Sequence, residues 1–178
     1  MGLTSLLLIG LLGVFLVLLF KRPLITMLGE NNSLINLLEN RKWFQKHWLS
    51  GLFLFAMNAV LFFLTGMLLY MTSYFLIPYI HLPIMIAAVL VSLLLWMVIN
   101  HAWQGNNRDR LKMGMLGSSF YAGLSLLFIY WLITLEPSYP GEDTFMRAIG
   151  FMLGTIVTTV AFISCLVMTG FSKTKISK

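Results

Sequence analysis

Long apolar runs, cut by short polar punctuation, make up most of the chain. The longest uncharged stretch reaches from His47 to Asn107 without one Asp, Glu, Lys or Arg. It holds two apolar runs, separated only by Pro78-Tyr79-Ile80-His81-Leu82-Pro83. About 20 apolar residues in a helix cross the ~30 Å hydrocarbon core of a bilayer. The stretch therefore predicts a transmembrane hairpin. The same reading along the whole chain predicts five spans, at about 3–20, 49–77, 83–102, 113–135 and 145–171. The second is longer than a crossing needs, so it should tilt or protrude.

Between the first two spans the pattern changes. Gly29-Glu30-Asn31-Asn32-Ser33 is a break, and Asn32 or Ser33 can cap a following helix. Leu34, Leu37, Leu38, Phe44 and Trp48 then recur near helical spacing. Asn36, Glu39, Arg41, Lys42 and Lys46 fill the polar positions. This predicts one amphipathic helix over about 33–47, lying flat on the membrane surface. The expected fold is an all-α integral membrane protein: a bundle of five transmembrane helices plus one amphipathic interfacial helix, one polytopic domain over 1–178.

Composition agrees. Hydrophobic residues make up 59% of the 178, and charged ones 10%. Globular domains carry about 25% charged residues. The net charge of +6 does not suggest nucleic acid, because the bases sit in short groups beside the apolar runs. Their placement gives an orientation instead. With the N-terminus outside and the C-terminus inside, eleven of the twelve Lys and Arg fall on the inner side, and only Arg147 falls outside. The positive-inside rule favours that arrangement. Lys21 and Arg22 follow the first run rather than precede it, and no small-x-small site comes after. An uncleaved first helix is expected, not a signal peptide. Short loops and the lack of an organelle signal point to a plasma membrane, more in keeping with a bacterium.

Candidate chemistry is sparse. No ionisable acid or base lies at mid-depth in any expected span. Such groups mark ion paths, proton relays and intramembrane catalysis. No G-x-S-x-G, H-E-x-x-H, C-x-x-C or P-loop pattern occurs. No catalytic or metal-ligating set is expected. Cys165 stands alone in an apolar run, as a small hydrophobe does. His47 opens the second span and His101 ends the third, so both belong to the same interface. Imidazole is an axial ligand of b-type haem, which makes this pair the one cofactor-binding candidate. Its competitor is a pair of interfacial side chains bonded to water, headgroup or helix-end carbonyls.

Small residues suggest helix packing. Gly150 and Gly154 form a GxxxG, and Ser119 and Gly123 a small-xxx-small pair beside Ser118 and Ala122. Such spacings let helix backbones approach closely. Asn58, the strongly polar side chain of the second span, is placed to hydrogen-bond across helices.

The expectation for function is a non-enzymatic membrane protein: an accessory, assembly or regulatory subunit acting through helix–helix contacts. It needs no cofactor. Its partners are the lipid bilayer and a membrane protein or a second copy. One alternative is a small-molecule or lipid transporter component, with an uncharged path through Asn58, Ser92, Ser125 and Thr158. The other is a haem-bearing subunit using His47 and His101.

Overall fold

The computed structural model describes residues 12–13, 33–75, 80–137 and 143–171. It is all-helical, with no strand among the described residues. Helix α1 is Ser33–Glu39, α2 His47–Tyr74, α3 His81–Ala102, α4 Asn107–Ile133 and α5 Phe145–Gly170. The expected first span lies outside the described residues, apart from Leu12 and Gly13, which are helical. Pro78, residues 138–142 and the tail from Ser172 also lie outside them.

Helices α2 to α5 are long and apolar enough to cross a membrane. At 1.5 Å per residue, the 28 residues of α2 extend roughly 42 Å. Their surfaces fit lipid better than water. Only 11% of the most apolar stretch of α2 is buried, and 22% of those of α3, α4 and α5. Phe63, Leu126, Ile133 and Met146 are among many large apolar side chains left exposed. Soluble monomers rarely show contiguous apolar surface on that scale.

The four long helices run up and down. α4 packs most extensively against α5 and next against α2, while α3 touches both α2 and α5. Packing is uneven along the axis. In α2 the buried residues are Ser50, Gly51, Leu54 and Asn58, all in its first half. In α3 they run from Leu93 to Ala102. In α4 they run from Arg110 to Ser125, and in α5 from Thr158 to Gly170. The core therefore fills the His47 end of the bundle, and the opposite end carries most of the exposed surface.

Two element boundaries differ from expectation. The interfacial helix stops at Glu39, not near residue 47. Beyond it, Arg41 N bonds to Leu38 O, Phe44 N to Arg41 O and Lys46 N to Trp43 O, each three residues back. These tight turns drive Phe44 into the core, where it is fully buried and rings Trp43 and Phe53 edge-on. The expected apolar stripe is not one face. Ile35, not Leu37, is buried, and α1 packs on α3.

The second difference is at α4. The basic segment 107–112, which lies before the span expected at 113–135, forms its first turns, and the connection from α3 is Trp103–Asn106. Charge bars a residue from the hydrocarbon core but not from a helix. Asp109 in the first turn also complements the positive end of the helix dipole.

Candidate functional site: a buried polar knot

Asn58 sits at the centre of the packed half, with no exposure. Its side-chain amide meets all three other long helices. Asn58 Nδ2 donates to Gly117 O of α4 at 3.0 Å and points to Cys165 Sγ of α5 at 3.6 Å. Its Oδ1 accepts from Trp96 Nε1 of α3 at 2.9 Å. A buried amide left unpaired in an apolar setting is costly, and here both of its ends are engaged. Trp96 in turn lies edge-on to Tyr121, with centroids 6.2 Å apart. Tyr121 continues into Phe120, Phe55 and Phe62.

The close approach around Asn58 depends on glycine. A Cβ on Gly117 would come within 2.3 Å of Leu54 Cγ and 2.7 Å of Leu54 Cβ. A Cβ on Gly114 would meet the Gly170 backbone at 3.1 Å. One turn of α4 thus brings α2 close on one side and α5 on the other, and exposes the Gly117 carbonyl to Asn58.

More polar contacts stitch the same half. Ser50 Oγ donates to Met113 Sδ at 2.8 Å. Asn100 Nδ2 donates to Met168 O. Gln45 holds the end of the bundle: its Nε2 donates to Ala102 O at 3.1 Å and to Glu39 O at 3.3 Å, and its Oε1 accepts from Gln104 N at 3.1 Å. It thereby ties the ends of α1 and α3 together. Arg110, buried in α4, donates from Nη2 to Trp103 O at 2.9 Å. Asn100 Oδ1, His101 Nδ1 and Trp103 Nε1 are buried without a hydrogen-bond partner among the described residues.

The sequence-selected residues fall into different settings. Asn58 is the knot itself. Gly154 packs under Phe128, at 3.2 Å from an added Cβ. Gly150, Ser119 and Gly123 are exposed, and an added Cβ on Gly150 or Gly123 meets nothing within 4 Å. Among the described residues, α4 buries the small residues Gly114, Gly117 and Ser118 rather than Ser119 and Gly123, and α5 buries none before Thr158. His47 and His101 take different surroundings. His47 Nδ1 lies 3.7 Å from Asp109 Oδ1, in a partly exposed pair that also draws in Lys112 at 3.6 Å. His101 is half-buried in the last turn of α3.

The groups of the uncharged path are bonded locally or across helices. Ser92 Oγ donates to Ala88 O and Thr158 Oγ1 to Gly154 O, while Ser125 pairs with Thr159 at 2.9 Å. Among the described residues no group of three or more His, Cys, Asp and Glu is placed to hold a metal ion.

Gln45 and the pair Gly114 and Gly117 escaped sequence reading. The Gly114-Met115-Leu116-Gly117-Ser118 spacing held a signal for the pair, at the border of the basic segment. Nothing in the sequence marked Gln45. No protein-family model, curated protein or solved structure matches the chain. By its helices it belongs with helical proteins able to cross a membrane four times within the described residues.

Proposed function

We propose that the chain is a non-enzymatic multi-pass membrane protein, an accessory, assembly or regulatory subunit that acts through helix–helix contacts. In this reading it has five spans, with the N-terminus outside and the C-terminus inside a plasma membrane, in a bacterium. The observation that carries it is the use of interior polarity. Asn58, the one strongly polar group deep in α2, is consumed by α3, α4 and α5 at once. Ser92, Ser125 and Thr158 are likewise engaged. Polar groups spent on joining helices suit a structural partner better than a solute path, whose groups must face the solute.

The test is purification from the native membrane in mild detergent, with crosslinking beforehand. A partner or second copy retained in fixed stoichiometry is the expected result. A strictly monomeric protein with nothing bound counts against the reading.

A further inference from the structure

The turns between α1 and α2, together with the first turn of α2, carry three exposed bases and two exposed tryptophans. Arg41, Lys42 and Lys46 are exposed, and none is paired with a carboxylate among the described residues. Trp43 is 41% exposed and Trp48 69%. Arg108 and Lys112 are exposed at the same end of the bundle, on α4. The acids of that end among the described residues are engaged elsewhere: Glu39 accepts from Gln104 Nε2, and Asp109 faces His47 and Lys112. Just beyond Trp48 the surface becomes aliphatic, with Leu49 and Leu52 exposed on α2. The bases therefore stand at the border between polar turns and apolar helix surface.

We propose that the Arg41–Trp48 segment is a docking surface for anionic phospholipid headgroups. It rests on the reading of α2 as a membrane span. Trp48, exposed at the start of α2, stands at the end of a span, where an amphipathic indole is favoured. The bases then lie at phosphate depth. Each base near an anionic leaflet adds attraction, and the attraction falls off within a Debye length. An acidic segment of a protein would match the charge but not the exposed leucines directly below it. Phe44, buried beneath the turns, fixes the position of the surface relative to α2.

The test reconstitutes the full chain in nanodiscs of phosphatidylcholine with about a third phosphatidylglycerol, then reads the lipids retained after transfer to detergent by native mass spectrometry. Failure to insert at all overturns the membrane reading itself. Insertion with equal retention of the two lipids overturns the docking surface alone. The expected result is a preference for phosphatidylglycerol of about tenfold. The preference should fall most of the way to unity in the R41Q/K42Q/K46Q variant and stay in the charge-preserving K42R/K46R variant. If the triple variant loses helical circular dichroism, the single variants K42Q and K46Q replace it, each expected to lower the preference by about twofold or more. A preference unchanged by every one of these neutralisations overturns the proposal.

Discussion

Asn58 is the residue whose removal should be felt most widely. Asn58→Ala leaves Trp96 Nε1 without its acceptor in a dry interior, removes the second bond to the Gly117 carbonyl, and leaves a small void. Interhelical hydrogen bonds in membranes average only about 0.6 kcal/mol. An orphaned buried partner costs about 1–3 kcal/mol, and that term decides the outcome. Cys165 supplies a built-in reporter, because it is the only cysteine and is fully buried beside the amide. A thiol-reactive dye should label wild type slowly, at the pace of opening. Asn58→Ala should speed labelling about tenfold or more; equal rates would mean that the knot contributes nothing. Asp109→Asn is the contrast. Its contacts with His47 and Lys112 are partly exposed, and such pairs contribute about 0–1 kcal/mol. Its effect on dye labelling should be small. Asn58 was legible from sequence, since a lone strong polar group in an apolar run must find a partner. Which partners it finds was not legible, because they come from residues 38 to 107 positions away.

At the scale of the helix, α4 is decisive, and its sequence is where pattern reading was least complete. Residues 107–112 look like a loop when charge is weighed against a hydrocarbon core. They form helix because they lie beyond the apolar stretch, where backbone bonding rather than lipid sets the conformation. Gly114 and Gly117 lie inside the expected span of 113–135, but nothing in the pattern sets them above the other small residues of that helix. Gly117→Ala should destabilise by about 1–3 kcal/mol, since Leu54 Cβ cannot rotate away. Gly123→Ala and Gly150→Ala meet open space and should stay within about 0.5 kcal/mol of wild type. Detergent-induced unfolding followed by circular dichroism separates these outcomes. Small-residue spacing marked real glycines but could not say which face each helix turns inward. Gln45 joins two helix ends through three bonds. Gln45→Ala should cost about 0.5–1.5 kcal/mol in the same assay, because its bonds are part-buried or exposed and water can replace some of them.

For the whole molecule, hydrophobic patterning foretold the long helices and their order, because each must satisfy its backbone internally to cross lipid. Four such helices are present among the described residues. The proposed five-span topology makes a separate prediction. Tags at residues 1 and 178 should report opposite sides of the membrane, with the C-terminal tag protected from an externally added protease. Both tags protected, or both cut, would require an even number of crossings.

The uneven core carries a consequence for how the sequence can vary. Residues at the His47 end of the long helices sit in fixed company: Ser50 with Met113, Leu54 with Gly117, Asn58 with Trp96. Those at the far end, such as Phe63, Met67, Leu126 and Ile133, are exposed. A saturation mutagenesis library scored by membrane expression should therefore split each helix in two. In one half the buried positions should accept few replacements at all. The other should accept almost any apolar side chain while rejecting charge, so that only its hydrophobicity, and not its identity, is under constraint.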